Sequence, residues 1–230
     1  MNLSGKFFIV TGAFGFLGRA VTACMIAHGA RLALLGKRPG SRVEHPADAL
    51  LYTGIDLSQK DAADEVFERI FKATGRIDGL VNLAGGFHWD KLQGGALESW
   101  ESMFRINLLT AVVSCEAVLP YLSRSETGTI VNIGSLGAVK ATCGMGAYAA
   151  SKAGVVKLTE ALADELKDRG ITVNAILPGV IDTPRNRADM PGADFTRWVS
   201  PKAVAEVIVF LVSDLARAIS GATLPVAGRA

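Results

Sequence analysis

Tyr148 and Lys152 are the first residues whose types and spacing can do chemistry, since they lie four residues apart in a stretch that predicts a helix from Ala147 to Lys167. Residues at this spacing project from one helix face. The lysine can therefore lie beneath the tyrosine and favour its ionised form. Free tyrosine has a pKa of about 10, and a neighbouring cation is the simplest way to lower it toward neutrality. The pair predicts a proton-transfer site. A chance pair at a solvated helix start is the alternative.

A glycine turn near the start of the chain lies between a predicted strand, Lys6–Thr11, and a predicted helix, Phe16–His28. Glycines in such a turn let the backbone approach a pyrophosphate, and the helix N-terminus attracts the anion. The alternative is a plain strand-to-helix connection, but the turn follows the first strand of an alternating chain, which favours dinucleotide binding. The turn residues predicted to bind the cofactor are Gly12, Phe14, Gly15, Phe16, Leu17 and Gly18.

The second predicted strand, Arg31–Leu35, ends at Gly36 and the two cations Lys37 and Arg38. Folds that bind NAD commonly place an acidic residue at this position for the ribose 2′-hydroxyl, whereas cations accommodate the 2′-phosphate of NADP. The absence of an acid and the presence of two cations indicate NADP, with NAD as the alternative. A solvated basic loop would also have this composition.

A third, weaker strand is predicted at Leu50–Ile55 and is followed by Asp56 and Leu57. Asp56 either reaches the adenine of the cofactor or helps to begin the next helix, predicted at Gln59–Ala73. We include both Asp56 and Leu57 among the expected cofactor-binding residues.

The fourth and fifth predicted strands, Asp78–Leu83 and Gly128–Ile133, both end in small residues. Small residues at the carboxyl end of a parallel strand leave room for a ligand. The fourth strand is followed by Ala84-Gly85-Gly86 and the apolar loop Phe87-His88-Trp89, and the fifth by Gly134-Ser135. A long helix, predicted from about Glu98 to Leu122, carries Asn107 among apolar neighbours, and a buried amide there needs hydrogen-bond partners.

The remaining elements are a sixth strand, Ile171–Leu177, a helix, Pro201–Ser213, and a final strand, Ala222–Val226. Between them, the polar stretch at about 182–200 is long for a connection, which is typical of a functional lid, and we expect it to be the substrate loop. Seven strands alternating with helices predict an α/β fold with a doubly wound parallel seven-stranded sheet of the Rossmann type, helices on both faces, and a single domain over 1–230.

Composition excludes several classes of protein. The 230 residues carry a net charge of +2, with 20% charged and 50% hydrophobic residues, which argues against nucleic-acid and membrane-surface binding. No leader pattern or membrane-length apolar run is visible, so we expect a cytoplasmic protein. Cys24, Cys115 and Cys143 are scattered and predict reduced thiols, and no metal-ligand spacing predicts a metal site.

At this point the chain resembles the short-chain dehydrogenase/reductase family over nearly its full length. The motifs that carry the resemblance are Thr11-Gly12 to Gly18, Asn82-Leu-Ala84-Gly85, Asn107, Ser135, Tyr148-Ala-Ala-Ser-Lys152 and Pro178-Gly179-Val-Ile181-Asp-Thr183. Each is common alone, but their order and separations together are specific.

The resemblance implies reversible hydride transfer between a nicotinamide cofactor and a carbonyl or alcohol. Tyr148 would donate the proton, Ser135 would orient the carbonyl oxygen, and Asn107 would hold a water that relays protons. Lys152 would bind the nicotinamide ribose and lower the tyrosine pKa. The family pattern adds Asn82, Ala84, Gly85, Pro178, Gly179, Ile181 and Thr183 to the cofactor site. The family also implies a homo-oligomer, a tetramer or dimer, with the helices near Asn107 and Tyr148 at the interface.

Two departures affect the interpretation. Compact family members usually have glycine at the position of Phe16, whereas this chain has Gly15, as in the extended branch, which leaves the local path of the turn open. The segment from Asp182 to Trp198 resembles dihydropteridine reductases, which usually lack the catalytic serine and take NADH. Because Ser135 is present and the NAD-specific acid is absent, we favour a 3-oxoacyl or small-ketone reductase.

A dihydropteridine-reductase-like enzyme using NADH is the alternative, and a non-catalytic dinucleotide sensor is the alternative from another class. The proton donor and its activator argue against the sensor, because binding alone requires neither. The residues expected to line the substrate pocket, any of which can equally be core residues, are Phe87, Trp89, Met145, Met190, Phe195 and Trp198.

Overall fold

The computed structural model describes residues 1–38, 49–122 and 128–229. Within these residues one parallel sheet of seven strands has the order β3-β2-β1-β4-β5-β6-β7. The chain order reverses between β1 and β4, which creates the switch point where open α/β sheets bind ligands. The predicted fold class is confirmed. The strands are β1 (Phe7–Thr11), β2 (Arg31–Gly36), β3 (Leu50–Thr53), β4 (Gly79–Asn82), β5 (Thr129–Ile133), β6 (Thr172–Pro178) and β7 (Thr223–Val226).

The helices alternate with the strands and cover both faces of the sheet. They are α1 (Phe16–Ala27), α2 (Lys60–Thr74), α3 (Leu97–Met103), α4 (Thr110–Leu122), α5 (Gly146–Leu166), α6 (Pro184–Asp189) and α7 (Pro201–Val212). Strand β1 shows why the central strands are apolar throughout. Phe7 and Ile9 pack into the core beneath α2, α4 and α5, whereas Phe8 and Val10 pack into the core beneath α1 and α7. A strand buried on both faces has a continuous apolar run rather than an alternating one.

The predicted long helix from about Glu98 to Leu122 is present as one helical run, Leu97–Leu122, but it is not uniform. Six residues between α3 and α4, Phe104–Leu109, form a π-helical segment. By length and composition this run of 26 residues could cross a membrane, with a mean hydropathy of 1.4 in an 18-residue window, although Arg105 and Glu116 interrupt its apolar residues. Half of its apolar window is buried inside the fold, however, as in the core helix of a globular protein.

The stretch at about 182–200 is more ordered than expected. It contains α6 and a 3₁₀ turn, Phe195–Arg197, and a bridge between Ile181 and Val199 closes the segment on itself. Thr183 caps α6 by accepting a hydrogen bond from Asn186 N at 3.2 Å. The sequence did not indicate this helix, because six residues are too few to show apolar periodicity.

Candidate active site

The glycine turn after β1 contains two glycines at which any other side chain would force the neighbouring backbone to shift. Gly12 has a φ of +63°, and a Cβ there would lie 2.7 Å from the backbone of residues 83–84. A Cβ on Gly18 would lie 2.5 Å from Ala13 O. The N-cap of α1, Gly15, has no side-chain capping hydrogen bond. The N–H groups at the start of α1 are therefore available to an anion.

The two phenylalanines of the turn have different surroundings. The ring of Phe14 lies over Gly36 at the end of β2, where a Cβ would be 2.9 Å from its Cε2. Phe16 is the first residue of α1, and its side chain is 55% exposed. Gly15 N donates to Gly12 O at 3.1 Å, which fixes the path of the turn that the sequence left open. A phenylalanine is tolerated at position 16 because its φ is negative, as is the φ of every non-glycine residue in the described ranges.

A buried polar chain ties β1 to the end of β4. The hydroxyl of Thr11 accepts hydrogen bonds from the backbone N–H groups of residues 83–84, both at 3.1 Å. Asn82 Nδ2 donates to Asn132 Oδ1 at 2.9 Å, and Asn132 Nδ2 donates to Thr159 Oγ1 at 2.9 Å. The side chain of Asn82, expected at the cofactor site, is thus engaged in the interior. It shapes the end of β4, which carries Ala84 and Gly85.

Ser135 and Tyr148 meet at the carboxyl edge of the sheet. Ser135 directly follows β5, and Tyr148 lies in the first turn of α5. The hydroxyl of Ser135 lies beside the phenol of Tyr148, and Ser135 Oγ accepts a hydrogen bond from Gly137 N at 3.1 Å. The ring of Phe87 packs edge-on against Tyr148, with centroids 5.0 Å apart and an interplanar angle of 84°. Burial raises the pKa of Tyr148, and the Ser135 hydroxyl beside the phenol opposes that rise in part.

Lys152 lies one turn below Tyr148 in α5 and is 5% exposed. Its Nζ donates to the carbonyl oxygen of Ile133, at the end of β5, over 2.8 Å. Burial lowers the pKa of Lys152 to about 8. The expected lowering of the tyrosine pKa by the lysine is not found in the protein alone, where burial of the phenol dominates and the shift is upward. The two side chains nevertheless share one helix face at the same sheet edge, as predicted.

Asn107 lies in the π-helical segment and is 1% exposed. Its Oδ1 accepts from Gly86 N at 2.9 Å, and its Nδ2 donates to Gly86 O at 3.1 Å and to Ser151 Oγ at 3.0 Å. The expected partners of this buried amide are therefore backbone and side-chain groups of the site. A Cβ on Gly85 would lie 2.6 Å from Asn107 Oδ1 and 3.4 Å from Lys152 Nζ, so the glycines after β4 allow all three elements to meet.

Lys37, just after β2, lies against Asp56, which follows β3. Lys37 Nζ lies 2.7 Å from Asp56 Oδ2, and this hydrogen bond is the main cause that lowers the pKa of Asp56 to about 2. Asp56 Oδ1 accepts from Ser58 N and Oγ at 3.1 and 2.8 Å, so Asp56 also organises the turn before α2. Arg38 is exposed beside Lys37, whereas Leu57 is 5% exposed and packs in the core.

The chain leaves β6 along the other side of the same edge. Gly179 N donates to Val226 O at 3.1 Å, and a Cβ on Gly179 would lie 2.8 Å from Ala227 O. Ile181 packs against the core beneath α1 and α7, and Thr183 begins α6. Pro178 is the last residue of β6. The residues expected to contact the nicotinamide therefore leave the sheet beside the end of β5 that precedes Ser135.

Three supporting residues were not identified from the sequence: Thr11 as a hydroxyl acceptor, Asn132 and Ser151. Thr11 and Asn132 are polar residues within apolar strands, which is a signal for a buried hydrogen bond. Ser151 lies inside the Tyr-Ala-Ala-Ser-Lys motif, and its role required the position of Asn107. Across the three described ranges, no group of three His, Cys, Asp or Glu side chains is placed to hold a metal ion.

Comparison with known proteins places this geometry in a family. The model of the short chain dehydrogenase family matches residues 6–193. The 3-oxoacyl-[acyl-carrier-protein] reductase of Thermotoga maritima is 32% identical over 243 residues, covering 99% of this chain and 98% of that protein. The Escherichia coli protein of the same name is 33% identical over 239 residues, with the same coverage.

Two solved structures share the fold. The ligand-free aldohexose dehydrogenase of Thermoplasma acidophilum has a TM-score of 0.88 at 29% identity and covers 99% of this chain and 94% of its own. A short-chain type dehydrogenase/reductase from Mycobacterium ulcerans has a TM-score of 0.92 at 25% identity, covering 99% and 90%.

Proposed function

The chain belongs to the short-chain dehydrogenase/reductase family and is an NAD(P)-dependent oxidoreductase, and from this premise we propose that it reduces a 3-oxoacyl or small-ketone carbonyl with NADPH. The observation that carries the proposal is the placement of the Ser135 hydroxyl beside the phenol of Tyr148, with buried Lys152 one helical turn below it. The names of the two 3-oxoacyl reductases support the substrate class.

The residues at the sheet edge fit a nicotinamide dinucleotide. Gly12 and Gly18 let the turn pack closely on the neighbouring backbone, where a Cβ would clash, and the start of α1 offers uncapped N–H groups for the pyrophosphate. Lys152 would bind the nicotinamide ribose, and Thr183 would contact the nicotinamide amide. When bound, the cofactor supplies the hydride. The other residues that would hold it are Phe14, Gly15, Phe16, Leu17, Lys37, Arg38, Asp56, Ala84, Gly85, Tyr148, Pro178, Gly179 and Ile181. Leu57 and Asn82 were also expected there, but their side chains are buried in the interior.

In the proposed reduction, Ser135 and Tyr148 both donate hydrogen bonds to the substrate carbonyl oxygen. As hydride arrives at the carbonyl carbon, Tyr148 transfers its proton to that oxygen, and the product is the alcohol. The raised pKa of Tyr148 suits this role, since it keeps the proton on the phenol at neutral pH. The buried ammonium of Lys152 then stabilises the phenolate that remains. Asn107 would hold the relay water and, by bonding both backbone groups of Gly86, keeps the end of β4 in place.

Lys37 and Arg38 support NADPH over NADH. In the protein, Lys37 is oriented by Asp56 at 2.7 Å, and a 2′-phosphate would share that cation with the carboxylate. The residue at the end of β2 is Gly36, so no carboxylate stands there to accept the two ribose hydroxyls of NADH.

A second copy of the chain would cover the outer face of the helical run 97–112. Leu97 is 71% exposed and Phe104 50%, and Trp100 and Leu109 on the same run are exposed as well, so several large apolar residues share this stretch. Beside them lies an open apolar groove lined by Glu101, Phe104, Arg105, Leu108, Leu109 and Val112. We therefore propose a dimer or tetramer assembled on this face.

We also propose a cytoplasmic location, which is in keeping with the three free cysteines.

The test is a fluorescence titration of the purified protein with NADPH and NADH in parallel, followed by turnover assays with β-ketoesters, quinones and quinonoid dihydropterin. Tighter binding of NADPH with ketoester turnover is the expected result. Preference for NADH with pterin turnover would replace the proposal with a dihydropteridine-reductase activity. Nucleotide binding without turnover of any carbonyl would indicate a sensor.

A further inference from the structure

The loop after β4, residues 86–90, crosses the candidate active site and is held at both ends. At one end, Gly86 N and O both bond to the side chain of Asn107, at 2.9 and 3.1 Å. At the other end, Trp89 Nε1 donates to Cys143 O at 3.0 Å, and Asp90 N donates to Gly144 O at 2.9 Å. The two residues between these anchors, Phe87 and His88, therefore have little freedom to move away.

Trp89 is an anchor rather than a free surface. Its N–H is satisfied by Cys143 O, and its indole packs directly on Gly144, where there is no room for a Cβ. Lys91 Nζ also lies 5.6 Å from the centroid of the indole ring. The 52% exposure of Trp89 therefore reflects a ring fastened along one side.

Phe87 is different because its contact with the site is the ring of Tyr148. The two rings meet at 84° with centroids 5.0 Å apart, so they form a corner at the proposed proton donor. Phe87 is nevertheless 46% exposed. Phe87 is held by the anchored loop, is half exposed and contacts the phenol proposed to react. Its ring therefore presents a preformed apolar surface to a substrate at Tyr148.

We propose that Phe87 is a specificity-determining residue that selects carbonyl substrates bearing a planar aromatic ring next to the carbonyl group, an inference that rests on the proposed reductase function. A flat ring gains from packing on a fixed aromatic face while its carbonyl oxygen reaches Tyr148. A flexible alkyl chain gains less at such a surface, since it loses rotamer freedom on binding. The substrate class is therefore aryl ketones and aryl β-ketoesters rather than short aliphatic ones.

The test compares ethyl benzoylacetate with ethyl acetoacetate, which differ in a phenyl or methyl group on the reacting carbonyl, by NADPH oxidation. We expect wild-type protein to favour the phenyl compound in kcat/KM by about tenfold, the ratio that ~1.4 kcal/mol produces. Phe87→Leu keeps an apolar side chain but removes the ring. It should abolish most of that preference, chiefly through a rise in KM for the phenyl compound.

Two matched variants distinguish an effect of losing the aromatic ring from an effect of disturbing the loop. Phe87→Tyr keeps the ring and should keep the preference. Leu92→Ala removes a side chain that is 82% exposed just beyond the loop, and it should leave both substrates unaffected. Thermal unfolding of each variant shows whether it is folded, and the preference of the wild-type protein does not depend on any variant.

The outcomes are distinguishable. Aryl preference that is lost in Phe87→Leu and kept in Phe87→Tyr supports the inference. Turnover of both esters with equal kcat/KM, or a preference unchanged in Phe87→Leu, overturns the inference and leaves the reductase function standing. Turnover of neither ester, with bound NADPH, overturns both.

Discussion

Replacing Gly18 with alanine tests whether the turn after β1 is the cofactor cradle. The added Cβ would lie 2.5 Å from Ala13 O and 2.6 Å from Ala13 C. Ordinary contacts between such atoms are about 3.5 Å, so α1 and the turn must separate by about 1 Å. Overpacking of this kind costs about 1–3 kcal/mol of unfolding free energy. Because the shift moves the N–H groups that would face the pyrophosphate, we also expect NADPH to bind at least about tenfold more weakly.

Gly15→Ala in the same turn is the matched control for stability. Its Cβ would meet only Gly12 O, at 3.4 Å, and its φ of −75° suits any residue. Alanine is a poorer N-cap than glycine, but the stiffer unfolded chain offsets this, and the net change should be within about 0.5 kcal/mol. Urea denaturation and NADPH fluorescence titration measure both quantities. Equal stability of the two variants, or wild-type NADPH affinity in Gly18→Ala, would refute the reasoning.

Three further predictions follow from the described contacts. Lys37→Ala should weaken NADPH binding about tenfold and leave NADH binding within about twofold in fluorescence titrations, and an equal loss for both would refute the 2′-phosphate assignment. Because the pKa of Lys152 is about 8 and its charged form exists below that value, kcat/KM for reduction should fall as the pH rises through 8, and a flat profile to pH ~9.5 would contradict its role. Asn132→Ala removes the acceptor of Asn82 Nδ2 and the donor to Thr159 Oγ1, and it should lower the free energy of urea unfolding by about 2–3 kcal/mol, whereas a loss below about 0.5 kcal/mol would show that the buried chain is not stabilising.

The fold could be predicted because each central strand is buried on two faces and each connection is a helix. The alternation of apolar runs with helical spacing is then visible in the sequence, as the opposite orientations of Phe7 and Phe8 illustrate. The gathering of Ser135, Tyr148 and Lys152 followed from the same topology, because the carboxyl ends of parallel strands share an edge.

Other features depend on distances that spacing does not report. The π-helical segment around Asn107 has less than one residue per turn more than an α-helix. Apolar periodicity in the sequence cannot resolve so small a difference. The hydrogen bond from Lys152 to Ile133 O joins two elements whose relative height is set by packing. The sign of the Tyr148 pKa shift depends on how deeply the phenol is buried, so reasoning from its neighbour in the helix gave the opposite direction.

Tyr148→Phe provides the most direct test of the central proposal, because it removes one hydroxyl and keeps the ring that packs against Phe87. NADPH affinity is measured by fluorescence titration, and turnover of the best β-ketoester is measured on the same preparation. We expect kcat to fall by about 10²–10⁴-fold, the contribution of a general acid, while the Kd for NADPH stays within about threefold. A variant that retains more than about a tenth of the wild-type kcat would contradict the assignment of Tyr148 as the proton donor.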